Sequence, residues 1–200
     1  MACIKPLLIT DNPASPYPLF CLITPFTYSI INHTYSTQPN LTSKYNYTMT
    51  QPKTILITGA AGGIGLATSR HFNTLHPTST IILTDLPTHQ EATESLIQST
   101  FPHPEKAVFL PANIMDWGRM THLFRTIAQK YGGVDVVVAN AGMMESTPVL
   151  DLEDVDEETG ELRESLEARR VVDVNLMGTL NSMNAFLSFF CALGCEVLMV

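Results

Sequence analysis

The sequence predicts an α/β fold built on a doubly wound parallel sheet, and three observations support this. Short runs rich in β-branched and aliphatic residues recur at Thr54–Thr58, Thr80–Thr84, 107–114 and 134–139. Between them lie segments whose apolar residues return at helical spacing. The first run also passes into its helix through a turn dense in glycine. Strands alternating with helices in this way make βαβ units, whose strands run parallel and are buried on both faces.

At 200 residues the chain is long enough for one such domain with a sizeable core, and its 45% hydrophobic and 15% charged content is ordinary for a globular protein. The formal net charge is −8. Lys5, Lys44 and Asp11 give residues 1–48 a net +1, so the rest carries −9. That balance argues against a nucleic-acid partner, which requires a basic surface to displace counterions. Cys3, Cys21, Cys191 and Cys195 sit at the two ends with no second ligand pair, so neither a metal site nor a disulfide framework is expected. They read as free thiols in a reducing, cytoplasmic compartment.

Residues 1–48 differ from the remainder. They hold six of the thirteen prolines, five of the six tyrosines and no glycine, and no helical or strand period runs through them. The apolar stretch 18–31 is interrupted by Pro25 and is too short to span a bilayer, so no membrane role is expected. Asn32, Asn40 and Asn46 each open a glycosylation triplet of the kind that a Thr- and Asn-rich stretch produces by chance. Met49 opens a short polar lead into a buried strand. The expectation is therefore an unstructured leader over 1–48, or an artefact of the gene model, followed by a nucleotide-binding domain over 49–200.

Thr54-Ile-Leu-Ile-Thr58 is followed by Gly59-Ala-Ala-Gly62-Gly63-Ile-Gly65 and then by Leu66-Ala-Thr-Ser-Arg-His-Phe72, a helical pattern. A pyrophosphate needs backbone N–H groups at a helix N-terminus, approached where no side chain intervenes. Gly59 permits the tight turn, Gly63 the close approach and Gly65 the packing of helix on strand. The second strand ends in Asp85, twenty residues after Gly65. A carboxylate there accepts hydrogen bonds from the adenosine ribose and repels the extra phosphate of NADP, so NAD is the expected cofactor. The alternative for Asp85 is a helix N-cap.

The spacing Thr-Gly-x3-Gly-x-Gly, from Thr58 to Gly65, resembles that of the short-chain dehydrogenase/reductase family, a Rossmann-like fold. The resemblance implies that Thr58, Gly59, Ala61, Gly62, Gly63, Ile64 and Gly65 cradle the nucleotide and that Asp85 holds its ribose. The third strand ends in Asn113-Ile114, where the family usually has Asp-Val against the adenine; the Asn113 amide still offers a hydrogen bond. Val134-Asp-Val-Val-Val-Ala139 leads into Asn140-Ala141-Gly142, similar to the family's Asn-Ala-Gly, which braces the sheet beside the nicotinamide-side ribose.

A helix over about 117–131 presents Met120, Leu123, Phe124 and Ile127 on one face. The acidic segment 151–167, broken by Gly160, reads as a solvated, partly helical excursion. A further helix begins near Leu166. It includes Asn175, which the resemblance assigns a catalytic part, holding a water that links the active-site Lys to solvent.

The family's acid/base chemistry uses a Ser after the fifth strand and a Tyr-x3-Lys pair, whose Lys and oxidised nicotinamide favour the phenolate. Beyond residue 48 the sequence has one tyrosine, Tyr131, with Asp135 four residues on, and no lysine after Lys130. The sheet is thus expected to be incomplete, with strands one to four, and Glu196-Val-Leu-Met-Val200 either the start of a fifth or unrelated sequence. An open sheet edge and an uncovered helix face would leave the chain poorly stable.

The leading expectation is the NAD(H)-binding portion of an oxidoreductase that transfers hydride between nicotinamide and a secondary alcohol or ketone. Its Thr-Gly-Ala-Ala-x-Gly-Ile-Gly turn with an Asp-ended second strand resembles the NAD-using 15-hydroxyprostaglandin-dehydrogenase-like members, and the chain as given is expected to be inactive. The alternative is a non-catalytic nucleotide-binding or scaffold protein. The resemblance also implies a homodimer or homotetramer formed through the helix that includes Asn175.

Overall fold

The computed structural model describes residues 19–21 and 51–192. The strands are β1 (Leu19–Cys21), β2 (Thr54–Thr58), β3 (Thr80–Thr84), β4 (Ala107–Phe109) and β5 (Val136–Val138). They form one sheet in the order β1-β5-β2-β3-β4, and every pairing is parallel. The helices are α1 (Gly63–Leu75), α2 (Gln90–Thr100), α3 (Trp117–Tyr131), α4 (Leu166–Val172) and α5 (Thr179–Ala192), with a π-helical turn over Asp173–Gly178. This is the doubly wound, Rossmann-like sheet that the sequence predicts.

Because successive strand residues point to opposite faces, β2 feeds two cores. Ile55 and Ile57 join Ile81, Leu83, Ile97 and Phe109 on the face covered by α1 and α2. Leu56 joins Ile82, Met120, Phe124, Ile127, Val137 and Phe186 on the face covered by α3 and α5. Strands buried on both faces are consistent with apolar runs that show no alternation.

Helix α3 matches its predicted bounds because both of its ends are written in the sequence. The Asp116 carboxylate accepts from the Arg119 N–H at 3.0 Å, and Gly132 closes the helix at φ 82°. Three other elements differ from expectation. The third strand ends at Phe109 rather than near Ile114, since Pro111 has no N–H to give to a ladder. Single backbone bonds from Leu110 to Leu83 and from Ala112 to Asp85, both 2.9 Å, carry the chain onward beside β3.

The acidic segment is helical only at Leu166 and Glu167, where α4 begins. An antiparallel bridge between Val155 and Leu162 closes a small hairpin, with Gly160 at φ 71° in its turn. The helix expected from Leu166 is also interrupted, by the π turn that carries Asn175.

The edge beside β5 is likewise not open. Leu19–Cys21, from the stretch expected to be unstructured, pairs in register with Val136–Val138. The run 196–200, read as the start of a further strand, lies outside the described residues.

Candidate nucleotide-binding site

The chain runs from β2 to β3 to β4 on one side, then returns to place β5 on the other side of β2. The carboxyl ends of β2 and β5 therefore flank the point where strand order reverses, the place where open α/β sheets bind ligands. Thr58 Oγ1 accepts from the N–H groups of Asn140 and Ala141 at 3.1 and 3.0 Å. Asn140 Nδ2 donates to the carbonyls of Thr58 and Gly59 at 3.0 and 3.3 Å. Gly59 stands at φ +66°, where a Cβ would come 2.7 Å from Ala141 Cα, so the turn and the close contact both require glycine.

A Cβ on Gly65 would lie 2.1 Å from the Gly59 carbonyl oxygen, so α1 packs directly on the turn that precedes it. Gly62 and Gly63 differ: both are exposed, and no atom lies within 4 Å of where their Cβ would be. Ile64 beside them is also exposed. The N-terminus of α1 has no side-chain cap and no acidic residue in its first turn. Its backbone donors are thus open to a ligand.

Asp85 leaves the end of β3 and faces this loop. Its Oδ2 accepts from the Ala61 N–H at 3.0 Å, and its Oδ1 from the Leu86 N–H at 2.8 Å. The carboxylate therefore ties the glycine loop to β3. Thr84, just before it, carries the one buried side-chain polar atom without a partner among the described residues, Oγ1. Asn113 Oδ1 accepts from the Met115 N–H at 3.0 Å, which turns the chain after β4. Ile114 points its side chain into the core and packs on Gly178, while its carbonyl accepts from Asn181 Nδ2 at 2.9 Å.

Asn175 closes the far side. Its Oδ1 accepts from the Met143 N–H and its Nδ2 donates to the Met143 carbonyl, both at 2.8 Å. The amide thus clasps the segment that follows Asn140, Ala141 and Gly142. A Cβ on Gly142 would come 3.0 Å from Asn175 Oδ1. The π turn that presents Asn175 is a distortion common at functional sites. One residue group further out, the Glu167 carboxylate accepts from both the backbone N–H and the hydroxyl of Ser146. The backbone bond, above all, holds its pKa below the ordinary glutamate value.

The sequence reading did not single out His89, whose Nδ1 lies 3.1 Å from Asp85 Oδ1. Its position four residues after Asp85, with Pro87 between, was the available signal. Among the described residues no group of three or more His, Cys, Asp or Glu side chains could hold a metal ion.

The residues present fit a dinucleotide: open glycine backbone at a helix N-terminus, and a carboxylate one strand over. A short-chain dehydrogenase family model matches residues 53–194. The chain belongs to the short-chain dehydrogenase family. It is 35% identical over 128 residues to the short-chain dehydrogenase/reductase prx4 of Penicillium roqueforti, covering 64% of this chain and 33% of that one. It is 31% identical over 129 residues to the 3-oxoacyl-[acyl-carrier-protein] reductase FabG of Thermotoga maritima, covering 64% and 46%.

Among solved structures, the alcohol dehydrogenase of Thermococcus sibiricus complexed with 5-hydroxy-NADP superposes with a TM-score of 0.53 at 25% identity, over 74% of this chain and 57% of that one. A point variant of ElxO with NADPH bound gives 0.54 at 21% identity, over 74% and 54%. This short-chain dehydrogenase chain spans between a third and a half of the length of these two curated relatives. No helix among its described residues is long and apolar enough to cross a membrane.

Proposed function

We propose that this chain forms the NAD(H)-binding portion of an oxidoreductase that transfers hydride between nicotinamide and a secondary alcohol or ketone. The observation that carries the reading is Asp85, a carboxylate held at the end of β3 against the Ala61 N–H. It offers acceptors to the ribose hydroxyls and places a negative charge where NADP would bring its extra phosphate. The solved neighbours that hold NADPH or 5-hydroxy-NADP are other proteins, and the preference for NAD rests on this charge. Gly62, Gly63 and the uncapped start of α1 would hold the pyrophosphate. Thr58, Asn140 and Ala141 would keep the strand ends fixed beneath the nicotinamide side, and Asn113 would border the adenine.

When bound, the nicotinamide supplies or accepts the hydride at its C4 position. The proton relay of the family, Ser with Tyr-x3-Lys, does not occur in these 200 residues. The chain as given is therefore expected to bind nucleotide without turnover. We place it in the cytoplasm, with residues 49–200 as the nucleotide-binding unit. The substrate class of the whole protein is a small alcohol or ketone. Val172, Leu176, Met177 and Leu180 are exposed across α4, the π turn and α5, an apolar face suited to pairing two copies.

The test is to titrate the chain with NADH and with NADPH, following nicotinamide fluorescence, and to repeat this with Asp85→Asn. NADH binding that is tighter than NADPH binding, with the gap narrowed in the variant, is expected. Tighter NADPH binding would overturn the preference, and binding of neither would overturn the nucleotide reading altogether.

A further inference from the structure

Asp85 has a partner that ribose binding does not require. His89 ends the short 3-10 turn Pro87–His89, and its Nδ1 lies 3.1 Å from Asp85 Oδ1. The imidazole side chain is 50% exposed and that of Asp85 17% exposed, so the ring is the more solvent-facing member of the pair. The pairing is held by the local chain. Pro87 fixes φ at the first position of the turn. The His89 N–H donates to the Leu86 carbonyl at 3.0 Å, and Thr93 Oγ1 donates to the His89 carbonyl at 2.7 Å.

We infer that His89 is a specificity-determining residue: its protonation sets how strongly the Asp85 site discriminates between NAD and NADP. The inference rests on the reading of Asp85 as the ribose-binding carboxylate. With a neutral imidazole, Asp85 presents an uncompensated negative charge to an adenosine 2′-phosphate. With an imidazolium, the pair is neutral overall, and the half-exposed ring adds a second N–H donor beside the same ribose position. The repulsion that excludes the phosphate is then cancelled. The uncharged ribose hydroxyls of NAD meet an acceptor in either state, so NAD binding changes less.

The charged groups nearest the pair are few. The loop from Gly59 to Gly65 carries no charge. Helix α2, which packs on the turn, brings Glu91 and Glu94 in its first turns, and Glu94 is engaged by Gln90 Nε2 at 2.8 Å. Asp85 is the carboxylate in contact with the ring.

Calorimetric titration of the full chain with NAD+ and with NADP+ between about pH 6 and about pH 8.5 tests this. The 2′-phosphate titrates nearby, so the comparison that decides is between the native chain and His89→Gln. As pH drops across this range the NAD preference is expected to weaken about fivefold more in the native chain than in H89Q. His89→Lys, permanently charged, should show the weakened preference at every pH. Parallel pH profiles for the native chain and H89Q, or a His89→Lys chain that discriminates like H89Q, would overturn the inference while leaving the nucleotide site standing. Failure of both nucleotides to bind at any pH would remove that site, and the inference with it.

Discussion

Thr58 and Asn140 hold the ends of two adjacent strands together by reciprocal hydrogen bonds: the Thr58 hydroxyl accepts from the Asn140 N–H at 3.1 Å, and Asn140 Nδ2 donates to the Thr58 carbonyl at 3.0 Å. The same hydroxyl accepts from the Ala141 N–H, and Thr58 is buried. Replacing it by an isosteric apolar group leaves the Ala141 N–H without this acceptor and the Asn140 N–H with only the Val138 carbonyl, 3.0 Å away. Thr58→Val is expected to cost about 2–3 kcal/mol in urea unfolding. Thr58→Ser, which keeps the oxygen and loses one methyl, should cost about 0.8 kcal/mol. Equal stability of the two variants would show that the hydroxyl contributes nothing to the clasp.

The glycines divide into two kinds, and substitution should separate them. A methyl at Gly65 would sit 2.1 Å from the Gly59 carbonyl oxygen, so backbone must move. Gly65→Ala is expected to lose about 3 kcal/mol or more and to unfold early in a thermal melt. Gly63 stands at φ +52° with open space around it. Gly63→Ala should cost only about 1–2 kcal/mol, from the left-handed backbone, yet weaken NADH binding because the methyl occupies the approach of the phosphates. A Gly63→Ala chain that binds NADH like the native one would remove Gly63 from the site.

How far the sequence reveals this arrangement depends on the range of the cause. Helix α3 was legible because Met120, Leu123, Phe124 and Ile127 recur at helical spacing, and Asp116 and Gly132 fix its ends within one turn. The glycine loop and Asp85 were legible because their spacing along the chain reflects one βαβ unit. The π turn around Asn175 was not. It accompanies a clasp between residues 143 and 175, far apart in sequence, and a helix-period pattern reads straight through it. The Val155–Leu162 bridge was hidden by composition, since a run of carboxylates looks the same whether helical or extended. His89 was overlooked because one histidine in a polar stretch carries no periodic signal, and only the turn at Pro87 brings it to Asp85.

Acid should loosen the outer wall of the site at Ser146. Glu167 is held below its ordinary pKa chiefly by the Ser146 backbone N–H, then by the Ser146 hydroxyl. A depressed folded pKa means that the contribution is fully present above the ordinary glutamate value and is lost as pH falls through the lowered one. The Ser146 amide resonance should therefore shift with a midpoint below that of an exposed glutamate, and the transition should vanish in Glu167→Gln. A midpoint at or above the ordinary value would show that the bond does not persist in solution.

The strand Leu19–Cys21 makes its own prediction. It pairs along Val136–Val138, so the backbone groups on that side of β5 have partners. The residues it covers are apolar, and a bare edge of this composition is a template for pairing with another chain. A chain starting at Met49 would present that edge. It is expected to show faster amide exchange in β5 than the 200-residue chain and to form larger species in size-exclusion chromatography at the same concentration. The strands β2 and β3, paired on both sides in either chain, should exchange alike in the two. If β5 is equally protected with and without residues 1–48, the edge is covered by something other than Leu19–Cys21, and this stretch contributes nothing to the sheet.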